Sequence, residues 1–357
     1  MSDYQAFLRE KAPVAQSTGL AVVPTLSDAL SGFQKHSVTW ALKKGRAALF
    51  ADTGLGKTRM QLEWARRILD YIRSLGGIGR VLILCPLAVA AQTVREGDSI
   101  GIEVAHVREA ADVVAGINIA NYERLDRFDP ALFDAVILDE SGILKSYTGS
   151  TKEALVERFR DTRYKLACTA TPAPNDHMEL GNHSEFLSVL PSYEMLSRWF
   201  INDTSTFGTY KLKGHAVTAF WDWVTSWALC VGKPSDLGYS DEGYDLPPLN
   251  IVQHSLAVDV LQDRGDKLFR DPELSATRVH QEKRRTLAAR AAKVGALVVA
   301  EPAEPWILWC DTNYEADALK AAVPDAIDVR GNMSDEKKEA ALLGFSSGAI
   351  LHIITKP

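Results

Sequence analysis

Two stretches of this chain carry residue types and spacings that could do chemistry on a phosphate. The first is Ala51-Asp52-Thr53-Gly54-Leu55-Gly56-Lys57-Thr58. Its glycines let the backbone curl until several N–H groups point at one phosphate, and a helix starting at its end adds its positive pole. Lys57 supplies a point charge for β- and γ-phosphates, and the Thr58 hydroxyl suits Mg²⁺. Ala51 stands where this loop pattern usually has its first glycine. The second stretch, Val136-Ile137-Leu138-Asp139-Glu140, is an apolar run ending in adjacent carboxylates. Alone, such a pair is most often a solvated turn. Downstream of a phosphate loop it reads differently: Asp139 sits beside the bound Mg²⁺, and Glu140 polarises an attacking water. The chemistry expected is nucleoside-triphosphate hydrolysis, with Lys57, Asp139 and Glu140 catalytic and Thr58 and Asp139 at the metal.

Both features need rigid elements to bring them together, and the surrounding pattern supplies them. Ala47-Ala48-Leu49-Phe50, Val81-Leu82-Ile83-Leu84-Cys85, Ile117-Asn118-Ile119, Ala135-Val136-Ile137-Leu138 and Lys165-Leu166-Ala167-Cys168 are short, nearly continuous apolar runs. Runs of this kind read as strands of a parallel sheet buried on both faces. Met60, Trp64, Ile68 and Ile72 recur every four residues, with Ala65 and Leu69 beside them. Residues 58–72 should therefore form a helix with one apolar stripe. From about residue 190 the alternation stops. Trp199, Trp221, Trp223 and Trp227 precede a Gly/Asp/Pro-rich linker from 232 to 248. Strands are expected again at 251–258, 306–310, 327–329 and 350–355, with helices at 280–299, 313–322 and 334–343. The chain should be α/β, with lobes at 1–190 and 250–357 joined by a helical insertion and linker at 191–249.

At the acidic pair a family resemblance becomes visible. Asp139-Glu140-Ser141-Gly142-Ile143-Leu144-Lys145-Ser146 resembles the DExx box of superfamily-2 helicases, and more closely the Swi/Snf-type pattern Asp-Glu-x-His-x-x-Lys-Asn. Cys168-Thr169-Ala170-Thr171-Pro172-Ala173-Pro174-Asn175 resembles that family's third motif, Leu-Thr-Gly-Thr-Pro-x-x-Asn. Phe33-Gln34 sits where the family keeps an adenine-reading glutamine. Cys85-Pro86-Leu87 resembles motif Ia, and Asn121-Tyr122-Glu123 resembles a segment that touches a nucleic-acid strand. Leu246-Pro247-Pro248, residues 306–311, Arg330-Gly331-Asn332 with Phe345, and Ile354-Thr355-Lys356-Pro357 resemble, in order, segments of the second lobe. The wording of the second and third motifs, with residues 175–183 after them, resembles helicase-type ATPases of bacteriophages and mobile elements.

That resemblance, running from 34 to 357, implies two RecA-like P-loop lobes with parallel sheets. The second is expected to be incomplete, because the pattern stops before motif VI. It implies ATP and Mg²⁺, with Gln34, Asp52, Thr53, Gly54, Leu55, Gly56, Lys57 and Thr58 holding the nucleotide and the second lobe closing over it. Pro86, Asn121, Tyr122, Lys145, Thr169, Thr171 and Asn175 are implied to contact nucleic acid or couple it to the ATP site. The implied activity is an ATP-dependent helicase or translocase on nucleic acid, with double-stranded DNA the expected track. Two alternatives remain: the motor of a restriction-modification system, or a nucleotide-gated DNA-binding module with little ATPase activity. The second is prompted by the missing motif VI arginines, which in the family reach the γ-phosphate. A kinase or GTPase is disfavoured by Gln34, the DExx box and Thr169-Ala170-Thr171. Gly142 stands where the family commonly has a histidine linking the ATP site to the third motif. Coupling is therefore expected through Ser141 or Thr169.

Composition sets bounds on these readings. A net charge of −6 over 357 residues argues against a protein that simply coats nucleic acid, although a motor needs only a local basic track. No run approaches the ~18 apolar residues of a membrane helix, and the N-terminus lacks the layout of a signal peptide. A soluble protein of the bacterial or phage-infected cytoplasm, with no membrane partner, is expected; the sequence does not identify a recruiting protein. Cys85, Cys168, Cys230 and Cys310 are scattered and read as buried thiols. Lys283-Arg284-Arg285 with Arg290 and Lys293 reads as a solvated helix face rather than a phosphate track. Trp221, Trp223 and Trp227 read as packing rather than base stacking. Lys211, Lys213 and His215 have only their charge to suggest a DNA contact. The spacing of His177 and His183 fits neither a helical metal pair nor a zinc finger.

Overall fold

The computed structural model describes residues 14–145, 150–202, 210–245, 247–256 and 276–356. The chain separates into two units, 1–247 and 248–357. In the first, the apolar runs become strands β1 (Arg46–Ala51), β2 (Arg80–Cys85), β4 (Gly116–Asn121), β5 (Ala135–Asp139) and β6 (Tyr164–Thr169). Two further strands join them, β3 (Val104–His106) and β9 (Ala228–Val231). Among the described residues these seven make one sheet in the order β3-β4-β2-β5-β6-β1-β9, every pairing parallel. A small antiparallel pair, β7 (Phe200–Asn202) and β8 (Tyr210–Leu212), lies apart from it.

Side chains alternate across the pleat, so each strand feeds two cores. On one face Leu49, Val81, Ile83, Ile137, Leu166 and Cys168 pack with Met60, Trp64, Ile68 and Ile72. Those four belong to helix α2 (Lys57–Ser74), the expected stripe; α1 (Gly32–Lys44) contributes Phe33, Val38 and Leu42 to the same core. On the other face Phe50, Leu82, Leu84, Val136 and Leu138 pack with Phe186, Trp199, Phe220, Trp223 and Trp227. Burial on both faces explains why the strands carry almost no polar residues along their length.

The stretch expected as insertion and linker does more than connect. Helices at Ser192–Trp199 and Val217–Thr225 cover the second face. Trp199 and Trp223 lie 4.7 Å apart between ring centroids, and Trp223 and Trp227 5.3 Å. The chain then enters the sheet as β9, beside the strand that leads into the phosphate loop. Four residues, only two of them fully buried, are too few to stand out as an apolar run.

The second unit holds a three-stranded parallel sheet, β10 (Trp306–Trp309), β12 (His352–Thr355) and β11 (Ile327–Asp328) in that order. Helices at Asn313–Ala322 and Asp335–Ser346 match the sequence reading. Two expectations fail here. Residues 251–256 form no strand, and Ile251 and Val252 lie exposed without a partner strand to cover them; 257 and 258 fall outside the described residues. The single helix expected at 280–299 is two, Ala276–Arg285 and Leu287–Ala300. At the break, Thr286 has φ −88° and ψ 0°, and its hydroxyl donates to the Glu282 carbonyl at 2.8 Å. The basic residues there are mostly engaged. Lys283 pairs with Asp311, Arg290 with Glu315 at 2.9 Å, and Arg284 lies over the Tyr314 ring at 5.2 Å.

Lys165 is a full charge placed inside the first sheet, and it is completely buried. Its Nζ donates to the Phe186 carbonyl at 2.9 Å, the Ser188 hydroxyl at 3.0 Å and the Arg160 carbonyl at 3.3 Å. Those partners are neutral, and desolvation pulls the ammonium pKa down to about 7. A lysine depressed in the folded state binds a proton more readily when unfolded. The penalty is therefore fully present below pH 7 and is relieved as pH rises towards the ordinary lysine value. Wild type should gain stability relative to Lys165→Met between pH 7 and 10, measured by denaturant unfolding of both; a pH-independent difference would contradict this.

Candidate active site

Because every strand of the first sheet runs the same way, the carboxyl ends of β1, β2, β4, β5 and β6 lie along one edge. That edge gathers the phosphate loop, Pro86, Asn121, the acidic pair and Thr169, the usual position for a ligand site in a parallel α/β sheet. β1 runs directly into the loop, and the Asp52 N–H donates to the Val231 carbonyl at 3.0 Å, so β9 fixes where the loop begins. Gly54 (φ 85°) and Gly56 (φ 76°) take left-handed conformations that favour glycine. Gly56 is also held close: a Cβ there would lie 2.4 Å from Gln34 Nε2.

Lys57 opens α2, and its ammonium donates to the loop carbonyls of Ala51 at 3.1 Å and Asp52 at 3.4 Å. The Asp52 carboxylate accepts from the Thr53 N–H at 2.6 Å. Asp52, Thr53 and Gly54 are exposed, Leu55 is buried, and Thr58 is half-buried at the start of the helix. Gln34 is buried against this loop. Its Nε2 donates to the Leu55 carbonyl at 3.0 Å, and its Oε1 accepts from the Ser31 N–H at 3.0 Å. The side chain read as an adenine contact thus also braces the loop.

Asp139 ends β5 and is buried. Its Oδ1 accepts from Gln61 Nε2 at 2.7 Å and from the Glu140 N–H at 3.1 Å. Burial, with the neighbouring Glu140 charge, raises its pKa from the usual aspartate value, opposed by those two donors and by the Lys57 charge. A desolvated carboxylate with only neutral donors and a nearby ammonium is suited to a hard cation. Among the described residues no cluster of three or more His, Cys, Asp or Glu could cage a metal by itself. One carboxylate and one hydroxyl fit Mg²⁺, which keeps waters and takes its other ligands from substrate phosphates. Asp139 and Thr58 are the residues that would hold it.

Glu140 is exposed and has φ 51°, a conformation that costs a non-glycine residue about 1–3 kcal/mol. Its Oε2 accepts from Thr169 Oγ1 at 3.2 Å, and that oxygen accepts from the Thr171 N–H at 3.1 Å. The acidic pair and the third motif are therefore joined by a direct hydrogen bond. Gly142, where the resembled pattern commonly has a histidine, faces the same threonines: a Cβ there would meet Thr169 Oγ1 and the Thr171 carbonyl at 3.7 Å.

The remaining candidates divide by exposure. Lys145, Thr171 and Asn175 are exposed and Pro86 is half-buried. Asn121 and Tyr122 are buried, and the Tyr122 hydroxyl donates to the Asp139 carbonyl at 2.8 Å. In this structure both turn inward: Asn121 Oδ1 accepts from Cys85 Sγ at 3.7 Å, and Tyr122 supports the acidic strand. Asn175 Nδ2 donates to Glu179 Oε1 at 2.8 Å. Lys213 donates to the carbonyls of Ser197 and Arg198 at 3.0 and 2.9 Å. Cys85, Cys168 and Cys310 are buried as expected, but Cys230 is exposed because β9 is an edge strand; no disulfide joins the four. Trp223 and Trp227 are buried, whereas Trp221 is 37% exposed and packs edge-on against His177 at 5.2 Å.

Sequence reasoning missed Gln61 and the Ser141–His183 pair. Gln61 is fully buried beside the apolar stripe, one helical turn after Lys57. A polar residue on the buried side of a helix that starts at a phosphate loop was the available signal. Gln61→Leu should weaken Mg²⁺-dependent ATP binding by about tenfold, the usual effect of losing a partner that orients a metal ligand. Titrating ATP at fixed Mg²⁺ tests this, and unchanged affinity would show that Asp139 does not need the bond.

No protein-family model matches the chain, and no curated protein matches it. The solved structures to which the chain is similar include the following two. One is a Sulfolobus solfataricus SWI2/SNF2 ATPase core in complex with double-stranded DNA. It is 15% identical, with a TM-score of 0.49, over 94% of this chain and 80% of that one. The other is the UvsW helicase from bacteriophage T4, also 15% identical, with a TM-score of 0.35. That match covers 53% of this chain and 64% of that one.

Proposed function

We propose that this chain is the ATP-hydrolysing part of a nucleic-acid motor that uses ATP and Mg²⁺ to move along double-stranded DNA. The observation that carries the reading is the joining of three features at one sheet edge. A Gly-Lys-Thr phosphate loop and an Asp-Glu pair lie on strands separated only by β6, and β6 ends in the threonine bonded to Glu140. A plain nucleotide-binding fold has no need of that last bond. A motor does, because it must convert the state of the nucleotide into movement elsewhere.

In this reading, loop N–H groups and Lys57 hold the β- and γ-phosphates in place. Asp139 and Thr58 orient Mg²⁺, which when bound neutralises developing phosphate charge. Glu140 lies beside them and positions the attacking water or accepts its proton. Changes in hydrogen bonding at Glu140 then reach Thr169, Thr171 and the exposed stretch to Asn175. Pro86, Lys145, Thr171 and Asn175 are the accessible candidates for touching the DNA. The cytoplasm of a bacterial or phage-infected cell is the setting this activity suggests.

The test is ATP turnover with and without duplex DNA, with Lys57→Ala as control. Removing one preorganised charge from the transferring phosphoryl should slow turnover about 100-fold. DNA stimulation that Lys57→Ala abolishes is the expected result. Turnover at the wild-type rate in the variant would overturn the site assignment. Tight ATP binding without turnover would favour a nucleotide-gated DNA-binding module.

A further inference from the structure

A strained residue at a reacting centre must be held from both sides, and the structure shows what holds Glu140. It is one of two described non-glycine residues with positive φ, and such a conformation persists only where its surroundings over-determine it. On the preceding side, Asp139 is fixed by the β5 ladder and by the Tyr122 hydroxyl on its carbonyl. On the following side is Ser141, completely buried, whose Oγ is hydrogen-bonded to His183 Nε2 at 3.1 Å.

His183 comes from a different element, the helix Leu180–Phe186 that follows the third motif. It too is completely buried, and its ring packs edge-on against Phe50 at 5.2 Å, one residue before the end of the strand that leads into the phosphate loop. Burial pushes its pKa down to about 4, so at neutral pH it offers a hydrogen bond and not a charge. Its neighbour Asn182 donates to the Leu144 carbonyl at 2.8 Å and the Lys145 carbonyl at 3.4 Å. One helix thus grips the turn after Glu140 at both ends. At its other end, Glu179 accepts from the Asn175 side chain of the third-motif loop. Gly142 faces Thr169 and Thr171, where a Cβ would make ordinary contact at 3.7 Å.

We propose that His183 is a positioning residue for the acidic pair: through Ser141 it sets the backbone of Glu140, and through its helix it ties that backbone to the third-motif loop. The proposal rests on the ATPase reading above.

Steady-state ATP turnover of four variants tests it. His183→Phe keeps a ring against Phe50 and removes the bond. His183→Gln restores a polar atom at similar reach. Ser141→Ala removes the other partner, and Ser141→Ala/His183→Phe removes both. The first and third should each lower kcat on the order of 10- to 100-fold, as misplacement of a catalytic group does. KM for ATP should stay within about twofold, since ground-state binding is untouched. The double variant should be no worse than the poorer single, and His183→Gln should recover most of the loss. Wild-type kcat in His183→Phe, a rise in KM with kcat unchanged, or losses that multiply in the double variant would each overturn the proposal. If His183→Phe does not fold, Ser141→Ala decides: wild-type kcat there overturns it. Lys57→Ala in the same assay separates the two readings. If it is inactive while His183→Phe is normal, only this proposal falls. If it is active, the nucleotide-site reading falls and takes this proposal with it.

Discussion

A sheet buried on both faces has no room for polar chemistry except at the ends of its strands, and the first unit is built around that constraint. Along β1, β2, β5 and β6 the side chains are almost uniformly apolar, filling one core beneath α2 and another beneath the tryptophan-bearing helices. The groups of the candidate site appear where the strands stop. Because all seven strands are parallel, those stopping points share one edge, and residues far apart in sequence meet there without long loops. Leu49 and Asp139 both align with Cys168 of the intervening strand, so the phosphate loop and the acidic pair are held in fixed register.

The same burial shapes the polar groups just inside that edge. A polar atom removed from water must find a partner or carry a penalty of about 1–3 kcal/mol. Gln61, Asp139, Tyr122, Ser141 and His183 are all buried and meet much of that need with one another or with nearby backbone. A bonded network of this kind admits few arrangements and gives a unique geometry to the groups it contains. It also explains how Glu140, exposed and in a left-handed conformation, keeps its position beside Thr169.

Much of this was legible in the sequence. Continuous apolar runs located five of the sheet's strands, and the four-residue stripe located α2, because those patterns follow from burial itself. The loop and the acidic pair were legible because their chemistry permits few substitutes. What escaped notice depends on contacts between distant elements. β9 is too short for a pattern, and its place beside β1 is a matter of topology. His183 could be recognised only as a histidine without a metal-like neighbour, since nothing local points from it to Ser141. The exposed run at 251–256 shows the converse: apolar residues make a strand only when a partner strand covers them. The basic residues near 283–290, read from sequence as a solvated helix face, are found in the structure to have Asp311 and Glu315 beside them.

The central claim is that the strand ends of the first sheet form a Mg²⁺-dependent ATP site organised by Asp139. Calorimetric titration of ATP into the wild-type protein and Asp139→Asn, each with and without Mg²⁺, tests it most directly. Asp139 in its assigned role predicts that Mg²⁺ strengthens ATP binding in the wild type and that Asp139→Asn loses most of that strengthening. Equal Mg²⁺ dependence in the two proteins, or no ATP binding by either, would contradict it.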